Sequence, residues 1–377
     1  MEIHVVKDPK RWNEIVDRSP YSVLHHKYEM CSSRKNALPL IFQREKSYLL
    51  FPLQIRKLFS FKIASSPIYY YASLLPDDAK AIRFIPETLE LVVRFLRGFG
   101  FDLLTTSVPA FLSGAYTRTL NLWFKTKGAQ SEHIYAHMIN VKGKTFEDVW
   151  KNDFHKHARN RVRKAEEKGV HVGRVKNIHE WINDIVRCNI SSLKRQGRMA
   201  TSHYCDKKTF LEYLCRHKRT LGDYFQVYGA FYENRLIAYM SAIEFNKLVM
   251  ITSAMSHSGY FPMCPNNALL AYVIKHACET PFNWVYYSFD RVSRYQDKAS
   301  LLPSLRKFKF EHGFREIPIP IYHLALSKAG KIAQKLLSAS TYAFVGSASL
   351  PQGLREVLER LYHRYSKSER AKAFLFS

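Results

Sequence analysis

The segment between residues 153 and 172 most constrains the fold, because a basic amphipathic helix leads there directly into a new strand. Asp153 is expected to cap the start of this helix, and Gly169 to take the left-handed position just past its end. Residues 170–172 then begin a strand, so the order of elements restarts in the middle of the chain. The apolar residues of the helix recur at helical spacing and predict one buried stripe, formed by Phe154, Ala158, Val162 and Ala165.

The rest of this helix is rich in basic side chains. Such a run has two interpretations, a solvated surface helix or a face that binds anions. The whole chain favours the second, because 58 Lys and Arg residues stand against 32 Asp and Glu residues, a formal net charge of +26. A charge of this size attracts phosphates, nucleic acid or anionic lipid headgroups. The basic residues of the helix are His155, Lys156, His157, Arg159, Arg161, Arg163 and Lys164.

The 377 residues are enough for two domains, and a hydrophobic content of 46% predicts folded cores. The six cysteines include no Cys-x-x-Cys pair, and the amino terminus does not resemble a secretion signal. We therefore expect a cytoplasmic protein with reduced thiols. No apolar run is long enough to span a bilayer, so any membrane contact is expected to be peripheral, at the inner face of the membrane.

One group of residues offers ligands of the kind that zinc prefers, namely His203 with Cys205 and Cys215 with His217. The segment around the second pair is predicted to be helical, and helical residues two apart point in different directions. The sequence therefore predicts no metal site, and it predicts no cofactor.

The first half of the chain has an α+β pattern. A helix is predicted around residues 12–16 and a longer amphipathic helix at 86–99. Thr145 and Asp148 resemble a capping box that opens a short helix before the basic one. Alternating and apolar segments predict strands at MEIHVV, LPLIF, SYLLFPLQI, KIASSPIYYYASLL, FDLLTTS, TRTLNLWF and HIYAHMINV.

The second half repeats this style after Gly169. Its predicted order is strand, two helices, three strands, helix, strand, helix and strand. The corresponding segments are VHVG, HEWINDIVRCNISSLKR, KKTFLEYLCRH, FQVYGAFY, RLIAYMSAIEF, KLVMITSAM, NNALLAYVIKHACE, WVYYSFD, PSLRKFKFEH and PIYHLAL.

This order is similar to that of the Gcn5-related acyltransferase fold. Four local motifs, RNRVRKAEEKGV, SHSGYFPMCPNNALL, YSFD and FKFEHGF, resemble those of the FemABX peptidyltransferase family and its FemAB-like relatives. The resemblance implies two tandem acyltransferase-like domains with a C-terminal helical tail, an α+β fold. The predicted bounds are 1–150, 151–326 and 327–377. The resemblance also implies transfer of an aminoacyl or acyl group.

The resemblance points to Lys309 as a catalytic residue. It matches the lysine of the family pattern F-K-x-x-aromatic-G, with His312 standing where Phe or Trp is more usual. In the relatives this lysine faces the substrate phosphate and the reacting carbonyl. The alternative is a helix lysine that extends to solvent. Asp290 is the second catalytic candidate: it could orient Lys309, accept a proton from the incoming amine, or only cap a turn.

The remaining candidates would bind substrate. Basic side chains would hold phosphate, and the two asparagines at the start of a predicted helix could equally serve as structural caps. Tyrosines at three places would line the substrate side. The complete set is Arg159, Arg163, Lys164, Arg195, Arg198, Tyr260, Asn266, Asn267, Tyr286 and Tyr70.

The connection SHSGYFPMCPNN lacks the glycine-rich pattern that holds the pyrophosphate of coenzyme A. A larger donor such as aminoacyl-tRNA fits the basic composition and the family. We therefore expect an aminoacyltransferase that acts on an amine of a phosphorylated cell-envelope precursor. Two alternatives stay open: acylation of an exopolysaccharide or a lipid-linked sugar from another donor, and a non-catalytic module that binds tRNA or membrane.

Overall fold

The computed structural model describes residues 2–6, 8–32, 36–58, 61–67, 72–109, 112, 114–195, 202–289 and 302–340. They form two compact units. Unit 1 comprises the described residues up to Ile134 together with those from Pro318 onward, and unit 2 comprises Tyr135–Ile317. The domain bounds predicted from the sequence stay a prediction.

The first part of the chain, up to residue 140, contains strands and helices in mixed order. They are β1 (Glu2–Val5), α1 (Pro9–Arg18), α2 (Tyr28–Ser32), β2 (Ala37–Arg44), β3 (Ser47–Leu58), β4 (Phe61–Ser65), β5 (Leu75–Pro76), α3 (Ile85–Gly98), β6 (Leu103–Ser107), α4 (Gly114–Thr126) and β7 (Gln130–Asn140).

The rest of the described chain continues in the order expected from the sequence. Its elements are α5 (Phe146–Asn152), α6 (Lys156–Glu167), β8 (His171–Arg174), α7 (Ile178–Arg195), α8 (Ser202–Cys205), α9 (Lys207–Leu221), β9 (Phe225–Tyr232), β10 (Arg235–Phe245), β11 (Leu248–Ser256), α10 (Pro265–Cys278), β12 (Trp284–Phe289), α11 (Leu302–Glu311), β13 (Arg315–Ala325) and α12 (Lys328–Ser340).

Unit 1 is built on a sheet in which β1, β2, β3, β4, β6 and the later part of β13 are neighbours in that order. The pairs are antiparallel except for β4 with β6, which run parallel. The long connection between these two strands contains α3, as a parallel pairing requires. The short strand β5 pairs with β3.

Unit 2 has its own run of strands in the order β7, β12, β11, β10, β9, β8. Only β11 and β12 run parallel, and α10 connects them. The core of this unit combines the sheet with α10 and α6. All four stripe residues predicted on the basic helix, Phe154, Ala158, Val162 and Ala165, belong to it.

Two sequence-based expectations are wrong at the level of local structure. The segment TRTLNLWF alternates in hydrophobicity like a strand, yet it lies in helix α4. Leu122, which completes the apparent alternation, is 66% exposed. The buried positions Tyr116, Leu120, Trp123 and Phe124 instead recur at helical spacing.

The second error concerns the start of the basic helix. Asp153 ends α5 as its C-terminal cap, and its carboxylate accepts a hydrogen bond from Lys144 Nζ at 2.9 Å. Helix α6 begins three residues later, at Lys156, and the ring of its N-terminal cap His155 accepts from the amide of His157. Gly169 does take the expected positive φ, 75°. The capping box of Thr145 and Asp148 is also present.

Within the described ranges, no helix combines the length and the apolar character that crossing a membrane requires.

Candidate active site

Lys309 lies inside unit 2. Its side chain is 1% exposed, although it follows Lys307, whose side chain is 73% exposed, on the same helix α11. A lysine that extends to solvent is therefore excluded at this position. Because burial of an ammonium group is costly unless partners stabilise it, the surroundings of Lys309 must offer such partners.

Two side chains from different strands surround the Lys309 ammonium. Nζ lies 3.5 Å from His137 Nδ1 on β7 and 5.2 Å from the centroid of the Tyr287 ring on β12. The first contact is at the outer limit of a hydrogen bond, and the second is a cation–π contact. Burial raises the pKa of the Tyr287 hydroxyl, so this ring is a neutral phenol at physiological pH.

The carboxylate of Glu316 lies next to the other ring nitrogen of His137. His137 Nε2 lies 3.4 Å from Glu316 Oε1, and the other oxygen of that carboxylate accepts from Arg306 Nη2 at 2.6 Å. His137 is fully buried. Lys309, His137, Glu316 and Arg306 thus form one line of polar contacts that leads from the interior to an exposed arginine.

The C-terminal end of α11 packs closely against its surroundings at Gly313. This glycine has a φ of +84°, and a Cβ at its position would lie 2.8 Å from Asp153 Cβ and 2.9 Å from Ile139 Cδ1. The amides of His312 and Phe314 both donate to the carbonyl oxygen of Lys309, at 3.0 and 3.2 Å. Only glycine suits this site, because both the backbone angle and the space exclude a side chain.

The link between α5 and α6 docks on the same helix end. The amide of His155 donates to the carbonyl oxygen of Glu311 at 2.8 Å, and Arg161 pairs with the Glu311 carboxylate at 3.1 Å. The basic helix therefore helps to fix the position of α11, and part of its charge is neutralised by that helix.

His312 replaces the aromatic residue of the family pattern and behaves as one. Its ring packs against Phe308 and Phe154, with centroid distances of 4.5 and 5.2 Å. Nδ1 donates to the Phe308 carbonyl oxygen at 2.7 Å, and Nε2 accepts from Asn267 Nδ2 at 3.4 Å. Burial lowers the pKa of His312 to about 4, so the ring is neutral at physiological pH. Asn267 therefore connects α10 to α11.

Acid should destabilise unit 2 through His312. In the unfolded chain the His312 ring binds a proton near pH 6.5, but in the folded protein it does so only near pH 4. Above pH 6.5 His312 therefore has no effect on the free energy of unfolding, and as the pH falls from 6.5 towards 4 proton binding to the unfolded chain lowers that free energy. The difference corresponds to about 3 kcal/mol. In urea unfolding series across this range, His312→Phe should flatten the dependence of stability on pH. The exposed control His171→Gln should not, and an unchanged slope in His312→Phe would contradict the assignment.

Arg159 stabilises the C-terminal end of helix α5. Its Nη1 donates to the carbonyl oxygens of Trp150, Lys151 and Phe154 at 3.1, 3.2 and 2.8 Å, which satisfies the C-terminal end of α5. Arg163 and Lys164 are exposed, and Arg163 lies 6.0 Å from the centroid of the Trp150 ring. Among the predicted phosphate ligands of this helix, these two present their charge to solvent.

We therefore expect two arginine truncations on one helix to act differently. Arg159→Ala should lower the free energy of unfolding by about 1–2 kcal/mol, because three carbonyl groups at the end of α5, two of them in part-buried contacts, lose their donor. Arg163→Ala should change it by less than about 0.5 kcal/mol. Instead, it should weaken binding of bulk tRNA and reduce the salt dependence of that binding by about one unit of slope. Chemical unfolding and filter binding over a salt series measure both; equal stability losses would contradict the distinction.

The backbone amides at the connection between β11 and α10 already donate hydrogen bonds, three of them to α7 and β10. Five successive amides, those of residues 256–260, each donate within unit 2. Their acceptors are Ser192 Oγ, the Ile237 carbonyl oxygen, Ser191 Oγ, His257 Nδ1 and the His257 carbonyl oxygen. The resemblance drawn from the sequence matches this connection to the one that holds the pyrophosphate of coenzyme A, and here these amides have acceptors already.

Other predicted residues lie around this connection. Arg195, at the end of α7, places its guanidinium 4.3 Å from the centroid of the Phe261 ring. Asn266 Nδ2 donates to Ser256 Oγ at 2.9 Å, while its Oδ1 is buried without a hydrogen-bond partner among the described residues. Tyr260 is half-buried and its ring lies near those of Tyr232 and His257.

Three predicted residues, Asp290, Arg198 and Tyr70, lie outside the described ranges. Tyr286 is buried in β12, opposite Met138 of β7. The aromatic ring in cation–π contact with Lys309 belongs to its chain neighbour Tyr287. The proposed binding and catalytic roles of all these residues stay predictions.

Sequence reasoning missed His137, Glu316 and Tyr287. A weak signal existed for His137, because it stands in the otherwise apolar run at 136–139, all four positions of which are buried in the structure. A histidine buried within such a run needs polar partners. No set of three or more His, Cys, Asp or Glu side chains in the described part of the chain could hold a metal ion.

Solved structures provide the comparison with known proteins. FemX has a TM-score of 0.64 and 11% identity, with 89% of this chain and 100% of FemX covered. The C-terminal domain (DUF2156) of a putative lysylphosphatidylglycerol synthetase from Agrobacterium fabrum has a TM-score of 0.55 and 12% identity, covering 89% and 96%. L-PGS from Bacillus licheniformis has a TM-score of 0.51 and 11% identity, covering 90% and 98%.

No protein-family model matches the sequence, and no curated protein matches it. The similarities to solved structures nevertheless show the fold: the chain has the tandem acyltransferase-like α+β fold of FemX. The fold class inferred from the order of elements and from the FemABX-like motifs is thereby confirmed.

Proposed function

We propose that this protein is an acyltransferase that moves an aminoacyl group from aminoacyl-tRNA to an amine on a phosphorylated cell-envelope precursor. One observation carries the proposal: in a chain with the fold of FemX, the lysine of the F-K-x-x-aromatic-G pattern is buried and held by two partners from other elements. Such a preorganised cation is what acyl transfer needs.

The reaction has simple requirements. The amine nitrogen attacks the ester carbonyl carbon, and the carbonyl oxygen becomes an oxyanion that the Lys309 ammonium stabilises. When the adduct collapses, the bond from carbon to the ribose oxygen breaks. The ribose hydroxyl gains the proton that the amine has lost. No cofactor takes part, and the enzyme contributes position and charge.

The electrostatics support a polyanionic donor. The net charge is +26, and Arg163 and Lys164 are exposed on α6. A coenzyme A thioester is disfavoured, because the five amides at 256–260 that could hold its pyrophosphate already donate within the protein. Opening this connection would break those bonds before any could form with a ligand.

A second acceptor is favoured by a specific observation. Two of the similar structures are described as a lysylphosphatidylglycerol synthetase domain and L-PGS, with TM-scores of 0.55 and 0.51. A hydroxyl of a phospholipid headgroup could therefore replace the amine as the nucleophile. Peripheral binding to the anionic inner face of the membrane would then bring the acceptor to the enzyme.

A transfer assay tests both acceptors. Total tRNA charged with radiolabelled amino acids is offered with either a nucleotide-linked muramyl peptide or phosphatidylglycerol vesicles. We expect label in the peptide, and label in the lipid alone would favour the second acceptor. Acetyl-coenzyme A serves as the competing donor: transfer from it, with none from tRNA, would overturn the aminoacyl proposal. Absence of transfer in every arm would favour a non-catalytic module.

A further inference from the structure

Two polar side chains near Lys309, those of His137 and Glu316, indicate how the orientation of its ammonium is fixed. We infer that His137, oriented by Glu316, is a positioning residue that holds the Lys309 ammonium towards the reacting oxygen. This inference rests on the proposed function only in the role that it gives to Lys309. The arrangement itself is a feature of unit 2, brought together from three separate elements, α11, β7 and the start of β13.

The tautomer of His137 follows from its two neighbours. Nε2 lies 3.4 Å from a carboxylate oxygen of Glu316 without the alignment of a hydrogen bond, and the negative charge there favours a proton on this nitrogen. Nδ1 faces the Lys309 ammonium, 3.5 Å away, which can only donate. A neutral ring with its proton on Nε2 and a lone pair on Nδ1 satisfies both neighbours at once. The opposite tautomer would direct an N–H bond at an ammonium and a lone pair at a carboxylate.

Glu316 is itself held. Arg306 donates to its second oxygen at 2.6 Å, and the Glu316 side chain is 23% exposed. This arginine fixes the orientation of the carboxylate, since a charge-assisted hydrogen bond is shorter and stronger than a neutral one. Arg306 therefore orients Glu316, Glu316 orients His137, and His137 orients the Lys309 ammonium.

The effect on Lys309 is geometric. A lysine ammonium is a point charge on a flexible stem of four carbons, with three N–H bonds that rotate freely. One of these bonds is directed at His137 Nδ1, and the ring of Tyr287 occupies a second side of the ammonium at 5.2 Å. These two contacts restrict the rotation of the ammonium before substrate arrives. This preorganisation is what distinguishes an oxyanion partner from a mobile surface lysine.

Two substitutions of His137 distinguish loss of the hydrogen-bond acceptor from loss of the volume that the ring fills. Asparagine carries its Oδ1 close to where histidine carries Nδ1, whereas leucine has nearly the same size as asparagine and no acceptor. Both therefore leave a similar void. We expect His137→Leu to lower kcat by about a hundredfold with little change in KM, because the lost contact acts on transition-state geometry. His137→Asn should recover at least tenfold of that loss.

A control shows what removal of a buried histidine does elsewhere. His323 in unit 1 is also buried, and its Nε2 lies 3.2 Å from Glu132 Oε1. His323→Leu should lower stability as His137→Leu does, yet leave kcat unchanged.

Glu316→Gln supplies a second variant, because it removes the charge that orients His137 and keeps the size of the side chain. We expect it to lower kcat by about tenfold, one charge-assisted bond being weakened.

A spectroscopic measurement tests the arrangement without substrate. Long-range ¹H–¹⁵N spectra of the full chain labelled at histidine should show His137 protonated on Nε2 alone, and Glu316→Gln should weaken that preference. A proton on Nδ1 in the parent protein would overturn the inference even if the leucine variant does not fold.

The kinetic outcomes also separate this inference from the proposed function. If Lys309→Met turns over at the parent rate, the proposed role of Lys309 fails. If Lys309→Met is inactive while His137→Leu matches the parent in kcat, the proposed role stands and the positioning inference is wrong.

Discussion

Replacing Lys309 by methionine is expected to lower the turnover of aminoacyl transfer by about a hundredfold to a thousandfold, the usual effect of losing one oxyanion partner. KM should change less, because the contact strengthens as charge develops on the carbonyl oxygen. The measurement is single-turnover transfer from charged tRNA to the acceptor found for the parent protein. Lys307→Met is the matched control on the same helix, and its side chain is 73% exposed. It should retain the parent rate.

Arginine at position 309 should not rescue the reaction. It keeps the charge, but its planar guanidinium is larger and directs its N–H bonds differently from a lysine ammonium. Lys309 is also 1% exposed and lies between His137 and Tyr287, so the larger guanidinium would have to displace one of these two side chains. If both the arginine and the methionine variants turn over at the parent rate, the reaction does not depend on Lys309.

The burial of Lys309 changes one expectation about stability. A lysine that extended to solvent would contribute little to stability, and its replacement would leave folding unchanged. The structure places Lys309 in the interior, so this argument does not apply to it. A methionine fills about the same volume, but it takes the donor away from the buried His137 Nδ1, so we expect a loss of about 1–3 kcal/mol in the free energy of unfolding. We still expect the variant to fold, and thermal unfolding beside the parent protein measures this.

Gly313→Ala should cause the largest loss of stability, about 3 kcal/mol. An alanine at a φ of +84° is strained, and its Cβ would lie 2.8 Å from Asp153 Cβ and 3.2 Å from the Asp153 carbonyl oxygen. Because the neighbouring amides of His312 and Phe314 donate to the Lys309 carbonyl oxygen, the end of α11 must move with it. We therefore expect a reduced rate of transfer as well, measured on the folded fraction.

Gly169→Ala is the matched control for this substitution. Its φ is +75°, but nothing lies within 4 Å of the added Cβ. Only the backbone strain remains, about 1–2 kcal/mol, and the transfer rate should be unchanged. Chemical unfolding of both variants measures the difference between them. If Gly313→Ala costs no more than Gly169→Ala, then the contacts with Asp153 and Ile139 relax freely and the packing argument is wrong.

Local patterns in the sequence were sufficient for most of the fold. The apolar stripe of α6, the capping box at Thr145 and the left-handed Gly169 all depend on residues within one or two helical turns of each other. Such features are visible because helix periodicity and end chemistry are short-range properties. The order of strands and helices then led to the tandem acyltransferase-like fold, which the similarity to FemX confirms.

Where local patterns were ambiguous, packing decided the structure. TRTLNLWF alternates like a strand, but the exposed Leu122 and the buried Trp123 show that α4 turns the opposite face inward. The link at Asp153 could be read as a helix start, yet its carboxylate is taken by Lys144 and its backbone packs against Gly313. Gly313 could not be identified as a contact of Asp153 from the neighbouring residues, because it is distant in the chain.

The site divides in the same way. The sequence by itself determined that Lys309 stands in a family-like pattern, that His312 and Gly313 end its helix, and that the chain is strongly basic. Only the tertiary structure decided that this lysine is buried and that His137, 172 residues away in the chain, lies against its ammonium with Glu316 behind. It also decided that Arg159 caps a helix end. The reason is physical: periodicity and capping are written in adjacent residues, whereas the partners of a buried charge are brought together only when distant strands and helices pack.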